Sequence, residues 1–166
     1  MKQELDKLLC ERYPKMMVNR DKSMMETCMC WGFECGDGWF NILDQLMGSI
    51  QHHIDWKEKQ RNWAIEWNKE HPTELRILPE LVPQVTLDQV KEKFGTLRFY
   101  YSGGDAIIYG MVSLAESMSG VTCEGCGSPA KTHTEGWFHT TCEPCKTARD
   151  KARAEFVTDS LKNDIL

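Results

Sequence analysis

Cys123-Glu124-Gly125-Cys126 and Cys142-Glu143-Pro144-Cys145 are the stretches on which the reading of this chain turns. Each holds two cysteines with two residues between them, and fifteen residues separate the pairs. A C-x2-C turn can aim both sulfurs at one ion, and a second turn carried in by a short hairpin completes a tetrahedral set of thiolates. The spacing therefore predicts one bound Zn2+ in a ribbon or treble-clef-like module, with Cys123, Cys126, Cys142 and Cys145 as ligands. Four thiolates leave no open coordination position, so the ion is structural. Gly125 and Gly127 permit the first turn, and Gly127-Ser128-Pro129 leaves it. Lys131 to Thr134 and Trp137 to Thr141 alternate like two short strands around Glu135-Gly136. His139, and after it His133, are the competing ligands nearby. A last helix, from Glu143 to about Leu161, starts within the second pair.

Four further cysteines lie near the other end. Cys10 and the group Cys28-x-Cys30-x4-Cys35 form a second metal site only with a fourth ligand, from Cys10, His52 or His53. The alternative is that they are small buried apolar groups in a reducing compartment.

Upstream of the module the pattern is mainly helical. Residues 2–12 read as a helix with Leu5, Leu8 and Leu9 on one face and Pro14 beyond its end. Two glycines flank Asp37 in Gly36-Asp37-Gly38, a tight turn in which Asp37 is placed to cap the next helix. Trp39, Ile42, Leu43, Leu46, Ile50 and Ile54 then recur at helical spacing, with Trp56, Trp63 and Trp67 as a second stripe. His71-Pro72 stops this run, and a break is expected near Gly48 or Asp55. Residues 84–94 read either way. Thr86-Leu87-Asp88-Gln89 fits a capping box, with Leu87, Val90 and Phe94 on one helical face; the same residues also fit a strand that turns at Gly95. Thr96 to Tyr101 is a strand, and Asp105 caps a helix from Ala106 to Ser119 that Gly120 closes. The fold class is thus α+β: a helical N-terminal region, a small antiparallel sheet or hairpin, and a C-terminal four-cysteine module. The body spans 1–120 and the module 121–166.

Charge excludes more than it selects. The 166 residues hold 20 Lys+Arg and 25 Asp+Glu, a formal charge of -5, and no segment is strongly basic. A dedicated DNA binder is not expected, and any nucleic-acid surface has to be a local patch. No apolar run approaches the roughly 18 residues of a membrane span, and Met1 to Lys7 lacks the apolar core of a secretory signal. A soluble cytoplasmic protein is expected.

Three segments carry a resemblance. Gly32-Phe33-Glu34-Cys35-Gly36-Asp37-Gly38-Trp39, then Gln89 to Tyr100 (QVKEKFGTLRFY), then Cys123-Glu124-x-Cys126-Gly127-x-Pro129 with Gly136-Trp137 and the second cysteine pair, resemble pieces of small zinc-ribbon proteins encoded by tailed bacteriophages and prophages. The resemblance runs from about Trp31 to Cys145. No activity comes with that family, so it implies a phage origin and an accessory role in the cytoplasm of an infected bacterium, where proteins of this size often inhibit or redirect host systems, immune systems included.

The remaining residues give three function classes. Alternation in the strand sets Leu97, Phe99 and Tyr101 on one face and Thr96, Arg98 and Tyr100 on the other. Arg98 on that second face suits a phosphate and Tyr100 a base, with Lys91 and Lys93 adding charge; the alternative is that these cations pair with acids such as Glu92. Glu34, Asp37, His52, His53 and Asp55 are the residues from which a metal-dependent hydrolase or nuclease would be built, but no H-E-x-x-H, phosphate loop or nucleophile elbow accompanies them. Glu34, Asp37 and Trp39, in and next to the glycine-rich turn, count as binding candidates instead. Most of the six tryptophans are expected in the core, with Trp63 and Trp67 as interface anchors if they face outward. The favoured reading is a non-enzymatic accessory factor that binds a host protein or sequesters a small nucleotide, with self-association open, nucleic acid less favoured and no membrane partner.

Overall fold

Helix α2 (Phe40–Glu70) is the longest element and packs along a later helix, Ala106–Ser119, that covers the sheet. The computed structural model describes the backbone of residues 1–163 and side chains as far as Phe156. Ile42, Leu43, Leu46, Met47, Ile50 and Ile54 bury one face of α2 at the spacing expected. The break expected near Gly48 or Asp55 is absent: Gly48 lies against the Tyr13 ring, and α2 continues through both positions for 31 residues, about 46 Å. Before it come α1 (Gln3–Arg12), which buries Leu9, and a two-residue strand β1 (Phe33–Glu34). After it come β2 (Thr86–Lys93), β3 (Thr96–Ser102) and α3 (Ala106–Ser119). The C-terminal module adds β4 (Lys131–His133), β5 (His139–Thr141) and α4 (Glu143–Asn163). This is the α+β architecture expected. Residues 164–166 of the module assigned to 121–166 lie outside the described residues.

The ambiguous segment 84–94 is a strand. β2 pairs antiparallel with β3 and parallel with β1, in the order β1-β2-β3. The helical look of Leu87 and Val90, three apart, has a local cause. The register slips between Leu87 and Gln89, so Asp88 is an extra residue in the ladder. A bulge of this kind brings residues three apart onto one face. Leu87 and Val90 accordingly both enter the core beside Leu97 and Phe99, under Ile108, Val112 and Ala115 of α3. Asn19 and Ser102 bond the Asp88 carboxylate and hold the bulge. At the other end Phe94 (φ 54°) and Gly95 (φ 78°) both take positive φ, as a two-residue type I′ hairpin requires.

Two further expectations change. Asp37 does not cap α2; it opens a 3₁₀ turn (Asp37–Trp39), and its carboxylate accepts the Lys2 N–H at 2.7 Å. Nor do the tryptophans fill the core. Trp39 alone is fully buried, while Trp31, Trp56, Trp63 and Trp137 are exposed. Residues 71–82 run back along α2, and the Arg76 guanidinium lies over the Trp63 and Trp67 rings, at 4.2 and 4.1 Å, while Trp63 stays exposed. Asn68 and Arg76 exchange two hydrogen bonds that hold this return.

Helix α3 begins as expected. The Asp105 carboxylate accepts the N–H groups of Ile107 and Ile108, and its other oxygen meets His53 Nε2 of α2 at 2.9 Å. Burial works to raise the Asp105 pKa, but the His53 contact and the Ile108 N–H outweigh it and hold the carboxyl below its ordinary value. A depressed carboxylate stabilises the folded chain above its unfolded pKa and loses that contribution as pH falls through the folded value. Asp105→Ala should therefore cost about 1–2 kcal/mol at neutral pH. The gap between wild-type and variant denaturation midpoints should close as the pH drops below about 4.

Candidate metal centre and open sheet face

The ligating atoms of Cys123, Cys126, Cys142 and Cys145 all lie within 4.8 Å of one another. Cys126 Sγ and Cys142 Sγ are 3.6 Å apart, close to the edge of about 3.8 Å for a tetrahedron with metal–sulfur bonds near 2.3 Å. The local fold makes this cluster. Cys123 N–H donates to Ser128 O and Gly127 N–H to Cys123 O, closing the first turn. The β4–β5 hairpin then delivers Cys142, and α4 starts at Glu143, so its first turn carries Cys145. The Ser128 hydroxyl and N–H hold the Cys126 thiol down at about 6, whereas the neighbouring sulfurs, Cys142 first, push Cys145 up to about 12. Thiolates this close oppose one another's ionisation, and a cation among them removes the opposition. The four cysteines could hold a metal ion.

The histidines nearby are engaged otherwise. His139 Nδ1 meets Trp137 O at 2.6 Å, and its Nε2 accepts from Arg149. His133 Nε2 meets Thr141 O at 3.2 Å. Among the described residues no other cluster of three or more potential ligands occurs. Cys35 is buried, and burial pushes its thiol up to about 12. Cys30 Sγ lies 3.2 Å from Thr27 O, and Cys10 Sγ 3.6 Å from an Asp6 carboxylate oxygen.

The first cysteine turn is clamped to the body. Glu124 accepts the Gly36 N–H on its carboxylate at 2.9 Å and the Gly38 N–H on its backbone carbonyl at 2.8 Å. The Trp39 indole N–H donates to Thr122 O at 2.8 Å. A Cβ at Gly38 would collide with the Cys123 carbonyl and the Gly127 amide, and one at Gly36 with the Glu124 carbonyl. Burial raises the Glu124 carboxyl above its ordinary value, against the pull of the Gly36 N–H. On the other side the buried Thr140 hydroxyl donates to Gly95 O at 2.5 Å, and Glu124 N–H donates to Thr140 O. The glycine-rich turn, the Phe94-Gly95 hairpin and the first cysteine pair thus meet at one place, across the boundary at 120/121. Glu124 was not singled out from the sequence; its one signal was its place inside a C-x2-C turn.

The sheet buries one face and leaves the other open. On the open face Lys91 stands directly opposite Arg98 in the ladder, and Lys91 Nζ lies 5.6 Å from the centre of the Tyr100 ring. Arg98 bonds only neutral oxygens, Thr96 Oγ1 at 2.6 Å and Leu97 O at 2.7 Å. Glu92, the acid expected to pair with these cations, instead accepts the Gly95 N–H at 2.6 Å. Among the described residues neither Lys91, Lys93 nor Arg98 forms an ion pair. Glu34 is the nearest acid in the ladder, beside Lys91, and takes a hydrogen bond from Gln89 at 3.0 Å. Lys93 Nζ sits 5.5 Å over Phe94, which touches Phe138 edge to face at the hairpin tip.

The residues considered for hydrolytic chemistry are not brought together. Glu34 is on the sheet, Asp37 pairs with Lys2 at 3.2 Å, and Asp55 pairs with Lys15 at 3.1 Å. His52 is exposed on α2, and His53 belongs to the Asp105 cap. Trp39 is fully buried, away from any partner surface. No helix among the described residues is long and apolar enough to cross a membrane. No family model, curated protein or solved structure matches the chain.

Elemental analysis should find one metal ion per chain. Cys123→Ser should remove it and lower the unfolding temperature; an unchanged metal content would refute the cluster as the site. Gly38→Ala keeps all four thiols, so it should keep the metal while costing about 1–3 kcal/mol through the steric collision, read in the same melting experiment.

Proposed function

We propose that the chain is a zinc-stapled binding protein whose open sheet face takes a phosphate-bearing ligand, a single-stranded nucleic acid. Four thiolates favour zinc, which would act there as a closed structural ion holding two chain segments and the turn docked on them. The observation that carries the ligand reading is Lys91 facing Arg98 beside Tyr100: Glu34 neighbours Lys91 in the ladder but its carboxylate is taken by Gln89, and among the described residues no acid stands beside Arg98. Like charges opposite one another weaken a sheet. An anion between them turns that cost into attraction. The neutral oxygens on Arg98 hold its guanidinium in place without neutralising it. Tyr100 offers a ring for a base, and Phe94 and the exposed Trp137 offer more at the hairpin tip. The open face suits a strand laid across it better than an enclosed mononucleotide, whose sites are concave. This favours nucleic acid over the small nucleotide that the sequence brought forward, with a local cationic patch on an acidic chain.

The accessory role in an infected bacterial cytoplasm rests on the phage-type motifs. Its support is that the three motifs converge in space: Gly36 and Gly38 on Glu124, and Gly95 on Thr140.

The test is fluorescence anisotropy with a short labelled single strand, and with ATP as competitor. Binding should weaken as salt rises, with a slope reduced by about 0.7 for each cation removed. Arg98→Ala should weaken it about 10-fold or more, and Tyr100→Ala by about 1–3 kcal/mol, both with unchanged melting temperature. Displacement by micromolar ATP would favour the small-nucleotide reading. Failure of the strand to bind, or binding indifferent to Arg98, would overturn the proposal and return the search to a protein target.

A further inference from the structure

Helix α3 carries apolar residues on both sides. Ile108, Val112 and Ala115 face the core, while Ile107, Tyr109, Leu114 and Met118 are exposed. The one charged residue in α3 is Glu116, and it is turned to the sheet, where it accepts the Phe99 N–H at 3.0 Å. The outward face of this 14-residue helix therefore holds no free charge. Its crest is a row of small residues, Ala106, Gly110, Ser113 and Ser117, spaced by four, three and four. One flank of that row is Ile107, Leu114 and Met118. Leu114 and Met118 of this flank border a groove of about 330 Å³ whose far wall is Ile42 and Leu46 of α2.

Gly110 is the residue this chain alone does not explain. A glycine within a helix costs stability relative to alanine. Here a Cβ would meet nothing within 4 Å, so no neighbour demands its absence. Close approach of a second helix does demand it, as small residues do wherever helix backbones come together.

We propose that α3 is a self-association face and that its occupant is a second copy of this chain. Charge selects the occupant. The chain carries -5, so two copies repel over most of their surfaces. The α3 face escapes this repulsion, and the polar residues around the groove are Asn41, Gln45 and Ser49, none of them charged. A strongly basic or acidic partner finds nothing complementary there; an identical uncharged face does. A two-fold contact lets the small row admit the opposing helix while the large flanks interdigitate. Area is sufficient: the four exposed side chains offer on the order of 500 Å². With the small row and the groove they approach the roughly 800 Å² that each partner gives to a stable interface.

Sedimentation velocity of the full chain from low to high micromolar concentration tests this. A dimer is expected. Leu114→Glu should raise its dissociation constant about 30-fold or more. Gly110→Ala separates docking from folding: it should raise the melting temperature at dilutions where the chain is monomeric and also weaken the dimer. Ser113→Leu, at a solvent-facing position, is the second block if Leu114→Glu lowers helicity by circular dichroism. A monomer at every concentration, or a dimer indifferent to both Leu114→Glu and Ser113→Leu, overturns the proposal, and neither result bears on the sheet-face ligand.

Discussion

The contact between the Gly36–Trp39 turn and the first cysteine turn is the constraint on which the arrangement of this chain depends. At its centre main chain lies directly on main chain, with the Glu124 carboxylate and the Trp39 indole adding one side-chain bond each. Gly38 lies so close to the Cys123 carbonyl that no side chain fits between, and Glu124 answers with a carbonyl and a carboxylate to two amides of the turn. Geometry of this kind tolerates little, because a hydrogen bond between fixed main chains cannot relax by changing a rotamer. The start of α2 is set by the same contact, since the Trp39 indole is buried with its N–H on Thr122 O. The four-cysteine cluster and the long helix are therefore positioned together.

From this junction the two faces of the sheet take their character. The core face is closed by α2 and α3 and is wholly apolar at Leu87, Val90, Leu97 and Phe99. Among the described residues no helix closes the opposite face, which gathers Lys91, Lys93 and Arg98 with Glu34 as the acid beside Lys91. A net charge of -5 hides this, because charge is summed over the chain while a ligand meets only one face.

What could be read from the sequence was what local chemistry decides. The four-cysteine spacing, the hairpin around Gly136, the Asp105 cap and the Gly120 stop each rest on a few neighbouring residues, and each is present in the fold. What escaped depends on residues far apart. The strand at Thr86–Lys93 read equally as helix or strand because the bulge at Asp88 shifts an alternating pattern by one. Asp37 looked like a cap because its true partner, Lys2, lies 35 residues away. Whether Trp63 and Trp67 face outward was open because nothing in α2 announces that Arg76 returns to lie over both rings. Arg98 and Tyr100 were set correctly on one strand face, but their neighbour Lys91 joins them only through the ladder register.

The long reach of the knuckle clamp also orders events in time. The four cysteines span a segment of 23 residues, whereas the Gly36–Glu124 bond closes a loop of 88. Short loops close faster, and long-range contacts wait until much of the chain is already compact. A nascent or refolding chain can thus bring its four thiols together before the clamp exists. Closure of the four-cysteine module and assembly of the body then become kinetically separate steps, with the module arriving as a preformed piece.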